Sequence, residues 1–382
     1  MAPDIGANPN REHSPGGFVM DSRPGLYDNV LVLDFKSLYP SIIRSFQIDP
    51  LGLAVPGEDP IEGFLGARFA REGAILPELI TRLWAIRDQA KRAKDAALSQ
   101  ATKILMNSFY GVLGSFGCRF FDARLASSIT RRGHEIINRS REFIEARGLP
   151  VIYGDTDSVF VLVGPGPTES EARAVGAQLA ADLNAWWRET LAREHRLDSC
   201  LEIEFETHYL KFLMPTIRGT EQGSKKRYAG LVHTDAGPRL VFKGLESVRT
   251  DWTPLAREFQ RELYRRVFLG EPYEDYVRRT AERLCAGELD AQLVYRKRLR
   301  QRLEAYTKNV PPHVQAARKL ERPGRVIEYL ITVNGPEPRE RLSSPIDYDH
   351  YLDRQLAPVA DGILHFVGQR FDALARPQLS MF

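Results

Sequence analysis

Asp34 closes a short apolar run, Val30 to Leu33, and Asp155 and Asp157 lie between two further runs, Val151 to Tyr153 and Val159 to Val163. Such runs read as strands, so Asp34 stands at a strand end and the other two at the tip of a β-hairpin with a Gly154 to Asp157 turn. If these strands are neighbours, two or three carboxylates converge at one sheet edge. Their mutual repulsion would call for a cation, and hard oxygen ligands select Mg²⁺ or Mn²⁺. Two such ions, held about 3.5 to 4 Å apart, activate a hydroxyl and steady a leaving oxygen. Asp is also a favoured turn residue, so Gly-Asp-Thr-Asp taken alone is equally a plain hairpin turn.

A complementary set of donors lies on two helical segments. Lys103, Asn107 and Tyr110 fall at i, i+4 and i+7 and share one face; on the preceding helix Arg87 and Lys91 do the same. An antiparallel hairpin of these helices, spanning Pro77 to Leu113, points both sets at a triphosphate. Either pair alone is equally a solvated face. Apolar spacing predicts that Leu79, Leu83 and Ile86 line the inner face of the first helix, and Ile104, Leu105, Phe109 and Leu113 that of the second. Around this hairpin the pattern predicts a helix over Leu38 to Phe46, a loop over Gly52 to Gly66, helices over Ser127 to Glu145 and Glu171 to Arg193, and strands over Leu201 to Leu213 and Arg227 to Val232. Beyond Thr250 it becomes helical and basic, broken by Pro311 and Pro312, with a short strand over Tyr329 to Val333 and a last helix near Ala357 to Phe371. The first 25 residues, rich in Pro and Gly, read as a linker that adds nothing to a core.

The chain has 382 residues, 43% hydrophobic and 27% charged, a globular composition that excludes collagen-like and wholly disordered classes. Its length suggests two or three domains. No run reaches the roughly 18 apolar residues of a membrane span, and no secretory signal is visible, so a cytoplasmic protein is expected. Cys118, Cys200 and Cys285 are far apart and outside any CxxC pattern, which argues against a disulfide framework or zinc module. A net charge of +3 names no partner, but three basic clusters do more: Arg82 to Lys103 (six basic, two acidic), Lys211 to Tyr228 (five and one) and Arg296 to Lys308 (six and one). They make a polyanion the partner to test.

Four segments in fixed order resemble the motifs of family B DNA polymerases. Asp34-Phe35-Lys36-Ser37-Leu38-Tyr39-Pro40-Ser41 is similar to the first palm motif, and Lys103 to Gly111 (KILMNSFYG) to the fingers motif. Tyr153-Gly154-Asp155-Thr156-Asp157-Ser158 is similar to the second palm motif, and Lys225-Lys226-Arg227-Tyr228 to the DNA-holding motif. Phe212 to Gly219, Asn309 to Val314 and Asp347 to Tyr351 resemble the bacterial branch. The resemblance covers nearly the whole chain and implies the polymerase half of such an enzyme, an α+β right hand with an antiparallel palm sheet, helical-hairpin fingers and a mainly helical thumb. The implied divisions are a linker over 1–25, palm over 26–73 and 118–250, fingers over 74–117, thumb over 251–377 and a tail over 378–382.

The resemblance also implies roles. Asp34, Asp157 and the carbonyl of Phe35 would hold two Mg²⁺ ions, with Mn²⁺ able to substitute and Asp155 in support. Ser37, Leu38, Arg87, Lys103 and Asn107 would bind the nucleotide, Tyr39 would exclude a 2′-hydroxyl, and Tyr110 and Gly111 would floor the nascent base pair. Lys103 would also protonate pyrophosphate. Lys225, Lys226, Arg227 and Tyr228 would grip primer-template DNA, and the basic helices after Thr250 would follow its phosphates. Gln378, Leu379, Met381 and Phe382 resemble the pentapeptide that binds the bacterial sliding clamp. A short linker ahead of Asp34 implies no proofreading exonuclease in this chain; Gly16 and Gly17 of the junction signature are present, with Ser14 where tyrosine is usual. The stretch Leu51 to Leu76 leaves little room for a protein-priming insertion, so ordinary primer ends are the expected substrate and a monomer the expected state. The competing readings are an impaired, polymerase-derived DNA-binding fragment and a two-metal nuclease, of which the second has no use for a triphosphate pocket.

Overall fold

The run around Val32 becomes the strand on which the site is built. A computed structural model describes residues 14–217, 220–308 and 310–375, which form two compact units: residues 14–22 with 28–209, and residues 23–27 with 210–375. Helix and sheet are mixed in the α+β manner expected. The clamp-like pentapeptide Gln378 to Phe382 lies outside the described residues, as do parts of two family-like segments. Among the described residues no helix is long and apolar enough to cross a membrane, and the three cysteines are free.

In the first unit the elements run β1 (Gly25–Phe35), α1 (Leu38–Ser45), α2 (Pro50–Ala54), β2 (Ile61–Glu62), β3 (Arg68–Phe69), α3 (Ile75–Arg92), α4 (Ala96–Leu113), α5 (Ala123–Glu145), β4 (Val151–Asp155), β5 (Ser158–Leu162), α6 (Glu169–His195) and β6 (Ile203–Met214), whose last residues belong to the second unit. The sheet order here is β4-β5-β1-β6. Val30 to Leu33 are all buried, as a strand covered on both faces requires. β1 pairs antiparallel with β5 from Val30↔Leu162 to Asp34↔Ser158. Leu31 and Leu33 join Ile129, Ile136 and Ile137 of α5 and Leu183 and Trp187 of α6 in one core. α5 starts on Asp122, whose carboxylate accepts from the Arg124 N–H, and α6 on a Thr168/Glu171 capping box. Gly133 is buried inside α5, where glycine costs roughly 1 kcal/mol relative to alanine.

The second unit continues with β7 (Tyr228–Thr234), β8 (Gly237–Lys243), α7 (Pro254–Leu269), α8 (Glu274–Cys285), β9 (Tyr295–Arg298), α9 (Pro312–Ala317), β10 (Val326–Thr332), β11 (Gly335–Pro338), α10 (Tyr348–Tyr351), α11 (Ala357–Leu364) and α12 (Phe371–Ala375). β6-β7-β8 form antiparallel neighbours and β11-β10-β9 a separate three-stranded sheet. Phe259, Leu263, Val277, Tyr351, Leu356, Ile363 and Phe371 are buried together.

Several expectations are corrected. Residues 18–20 are not an idle linker: the Met20 N–H donates to the Gly154 carbonyl (2.9 Å) and the Thr156 N–H to the Phe18 carbonyl (2.7 Å), while the Met20 side chain enters the core. The unpaired edge of β4 needs partners more than the Pro/Gly composition disfavours order. The inner face of α3 is Leu76, Ile80, Trp84 and Arg87, with Leu79 and Ile86 exposed; on α4 it is Thr102, Met106 and Leu113, with Ile104 and Leu105 exposed. Apolar periodicity was right for Leu113 and for Leu83 and Phe109, which pack against the core, but not for Leu79, Ile86, Ile104 and Leu105, because the buried stripes also carry Arg87 and Thr102, which apolar counting leaves out. The stretch Gly52 to Gly66 holds part of α2 and all of β2, and Arg296 to Arg298 form a strand rather than a helix. Pro312 starts α9 instead of ending a helix, since its missing N–H falls where none is needed. The final helix, expected near Ala357 to Phe371, is interrupted: α11 ends at Leu364, a 3₁₀ turn over His365–Val367 follows, and Gly368 in the left-handed region (φ 71°) closes it ahead of α12.

One buried carboxylate organises the three-stranded sheet's edge. Glu337 on β11, its side chain 4% exposed, accepts from the N–H groups of Ser343 (2.7 Å) and Ser344 (3.0 Å) and from the Ser344 hydroxyl (2.8 Å), with the Lys319 Nζ 3.6 Å away. Those donors hold its carboxyl well below the ordinary value, at about 2. The folded state therefore binds the Glu337 proton less tightly than the unfolded chain, so this stabilisation is complete above pH 4.5 and drains away as pH falls toward 2. Glu337→Gln is expected to lower unfolding stability at pH 7 by about 1 to 3 kcal/mol, and the gap to the parent should narrow at pH 3.5. Urea midpoints at the two pH values check it; a gap of equal size at both would remove the charge from the explanation.

Candidate active site

The Asp34↔Ser158 register seats Asp34 beside the β4–β5 turn, and the Phe35 N–H donates to the Asp157 carbonyl at 2.7 Å. That turn is two residues long, Thr156 and Asp157, with Thr156 in the left-handed region (φ 51°) that tight hairpins demand. Ser37, between β1 and α1, is also left-handed (φ 50°). Its hydroxyl does not cap α1; it accepts from Arg87 Nη1 of α3 at 3.1 Å. Two non-glycine residues in this strained region therefore flank the carboxylates, where such strain persists only if the surroundings enforce it.

A cavity of about 400 Å³ opens here, lined by Asp34, Ser37, Leu38, Tyr39, Thr156, Asp157 and Glu204 on one side and Arg87, Lys91, Lys103, Asn107 and Tyr110 on the other, with Lys36 beside them. Its size suits a small ligand. The expected residues of β1, α3, α4 and the hairpin are thus brought together, with three qualifications. Asp155 is not part of the lining, although its charge acts on Asp157. The Phe35 side chain is buried in the core, so only its backbone is available. Gly111 has open space where a Cβ would stand, an unobstructed backbone surface next to Tyr110.

Electrostatics divide the cavity. Burial, then the charges of Asp157 and Glu206, raise the Asp34 carboxyl to about 7; burial and Asp155 raise Asp157 to about 6. Burial first and then Tyr110 push the Tyr39 phenol to about 12, so it stays neutral. Opposite, Arg87 is 8% exposed, its Nε finds no acceptor, and among the described residues neither it nor Lys91 nor Lys103 forms an ion pair. A buried guanidinium without a carboxylate is costly unless an anionic ligand completes it. Crowded carboxylates facing unpaired cations suit a bound divalent ion and the phosphates it bridges. Among the described residues no group of three or more His, Cys, Asp or Glu side chains is placed to hold a metal ion by itself.

Glu204, Lys36 and Thr156 line the cavity without having been singled out. Lys36 Nζ reaches Glu202 (3.0 Å) and Glu204 (3.8 Å). The signal was present: Glu202, Glu204 and Glu206 alternate along or beside β6 and so share one face, which the sheet order sets next to β1. The segment Lys225 to Tyr228, which resembles the family's DNA-holding motif, is in the second unit. Lys225 and Lys226 are exposed, Lys226 with φ 61°, and Tyr228 opens β7 with its ring 5.2 Å from that of Phe212. Arg227 points elsewhere: its guanidinium pairs with buried Glu246, which Gln260 also contacts at 2.9 Å.

The sequence profile of DNA polymerase family B matches residues 2–60 and 66–367. DNA polymerase II of Escherichia coli is 57% identical over 399 aligned residues, which take in all of this chain and 51% of that protein. A DNA polymerase of Thermococcus gorgonarius is 29% identical over 95% of this chain and 48% of its own length. Among solved structures, the family B DNA polymerase of the archaeon Pyrobaculum calidifontis superposes with a TM-score of 0.66 at 28% identity, over 94% of this chain and 48% of that one. The chain thus spans about half the length of the relatives it matches, with its carboxylates, helical-hairpin cations and tyrosines inside the matched region, and it belongs to DNA polymerase family B.

Proposed function

We propose that this chain adds deoxynucleotides to a primer 3′ end on a DNA template, acting as the palm, fingers and thumb of a family B polymerase. The observation that carries the reading is the split cavity: unpaired Arg87, Lys91 and Lys103 on the helical hairpin face Asp34 and Asp157 on the sheet, with Tyr39 and Tyr110 between them. Arg87, Lys103 and Asn107 grip the triphosphate oxygens through charge-assisted and amide donors. Asp34, Asp157 and the Phe35 carbonyl hold two divalent ions, Mg²⁺ or Mn²⁺, which when bound lower the pKa of the primer hydroxyl and neutralise the leaving pyrophosphate. Ser37 and Leu38 present backbone to the nucleotide, and the neutral Tyr39 ring occupies the space a 2′-hydroxyl would need. Lys103 Nζ carries the proton that the departing pyrophosphate takes up. Lys225, Lys226 and Tyr228 hold the duplex, through phosphates that impose no sequence preference. Arg227, tied to Glu246, shapes this loop rather than touching DNA. Gln378, Leu379, Met381 and Phe382 serve as a clamp-binding peptide in bacterial cytoplasm.

A labelled primer-template incubated with Mg²⁺, with and without deoxynucleotides, tests the whole reading. Nucleotide-dependent lengthening supports it; shortening or an unchanged primer refutes it. Asp34→Asn or Asp157→Asn should cut the extension rate by about 10³-fold or more while duplex affinity stays within about threefold, since each removes an anionic ligand from a site stabilising charge at both reacting oxygens. Wild-type rates in either variant would disprove the two-metal assignment.

Tyr39→Val should admit ribonucleotides, lowering discrimination more than it lowers deoxynucleotide insertion. Single-nucleotide kinetics with both sugars decide it, and an unchanged preference would move the gate to another residue.

Deleting Gln378 to Phe382 should leave unaided extension intact and abolish stimulation by a loaded bacterial clamp. Three apolar anchors, each contributing roughly 1.5 to 3 kcal/mol when buried, are enough for micromolar capture. Equal stimulation of truncated and full chains would exclude the tail.

A further inference from the structure

Tyr39 is hemmed in on three sides, and two of those sides are glycines. Its ring lies 4.8 Å from the Tyr110 ring. A Cβ placed on Gly17 would come within 3.4 Å of its hydroxyl, and one placed on Gly133 within 3.3 Å of its Cε1. The Gly133 position is the instructive one. It lies in the middle of α5, a 23-residue helix, with a backbone that any residue adopts, so nothing in the helix itself asks for glycine. Alanine would be the better helix former there. Its Cβ would meet Ile42 at 3.6 Å and Leu38 at 3.7 Å, both ordinary contacts, and only Tyr39 inside ordinary range.

We propose that Gly133 is the positioning residue that sets how far the Tyr39 ring stands out into the nucleotide cavity; the inference rests on reading Tyr39 as the sugar gate. The direction of the effect follows from the packing. Leu38 and Ile42, on the same helix as Tyr39, are buried and cannot retreat. Tyr110 bounds the ring on one side and the Gly17 backbone lies close to its hydroxyl end. The cavity that Tyr39 lines is the open direction. A methyl group at position 133 therefore drives the ring by a few tenths of an ångström toward the bound sugar. No residue is smaller than glycine, so the gate is held at its most withdrawn setting, where a deoxyribose passes without strain and a 2′-hydroxyl still collides. Close packing makes such a shift consequential, because a tightly filled interface has no slack to absorb it.

Four full-length chains test this: the parent, Gly133→Ala, Tyr39→Val and the double variant, each measured for single-nucleotide insertion with deoxy- and ribonucleotides and for a cooperative thermal melt. Gly133→Ala should raise the deoxynucleotide KM about threefold or more, the scale of coupling between touching residues, with kcat within about twofold and ribonucleotides still excluded. In the Tyr39→Val background the same substitution should leave KM unchanged, because the ring it displaces is gone. An unaltered KM in the single variant overturns the proposal, and so does an equal rise in both backgrounds, which would make the effect a general disturbance of α5. The gate reading fails separately: if Tyr39→Val does not admit ribonucleotides, Tyr39 is not the gate, while the KM comparison still reports whether Gly133 acts through its ring.

Discussion

Two carboxylates lining one half-buried cavity repel each other, and most of the first unit can be understood as the structure needed to keep them there. Asp34 is fixed by one register, Asp34↔Ser158, and a slip of a single residue would turn it to the opposite face of the sheet. The register is set by five antiparallel partners from Val30↔Leu162 to Asp34↔Ser158, with Val30 to Leu33 buried on both faces. Each such side chain contributes roughly 1.5 to 3 kcal/mol by leaving water. Their sum outweighs the cost of burying these acids, which, with neighbouring carboxylates, raises Asp34 to about 7 and Asp157 to about 6. The apolar strand and the acidic site are in this sense one feature: the first is the condition under which the second can persist.

The same logic reaches the backbone. Ser37 and Thr156 adopt left-handed conformations that the sequence does not favour, and each is held by bonds across the site. Ser37 forgoes capping α1 and takes a bond from Arg87; Thr156 donates its N–H to Phe18 and its hydroxyl to Asp155 at 3.0 Å. A helix that gives up its cap to orient a buried cation shows local stability yielding to the site.

How much of this could be read from the sequence depended on which kind of signal each residue carried. Asp34, Asp157, Lys103, Asn107 and Tyr110 were legible because their chemistry and helical or strand spacing agree. The two long helices were legible, their faces only in part: α3 buries Arg87, a cation that periodicity counts as outward, so of the stripe Leu79, Leu83 and Ile86 only Leu83 packs against the core while the other two are exposed. Arg296 to Arg298 are basic like the helices before them, and only tertiary pairing with Val326 to Glu328 makes them a strand. Residues 18–20 were missed for the opposite reason. Their order comes from tertiary contacts, the open edge of β4 and the core that Met20 enters, and no local pattern announces it.

The cations make the same point about charge. Some members of the clusters that stood out in the sequence are engaged within their own units: Arg82 with Glu78, Arg227 with Glu246, Arg296 with Glu328 and Lys297 with Asp251. Such pairs fix local geometry and leave little charge for a ligand. What distinguishes Arg87 and Lys103 is not their place in a basic stretch but the absence of an ion-pair partner among the described residues, in a cavity whose other wall is acidic. Arg87, Lys91 and Lys103 all stand on the helical hairpin, opposite Asp34 and Asp157 on the sheet. On the proposed reading the phosphates go to the helical hairpin, the reacting oxygens to the sheet, and the sugar is left against Tyr39, where a few tenths of an ångström would decide what fits.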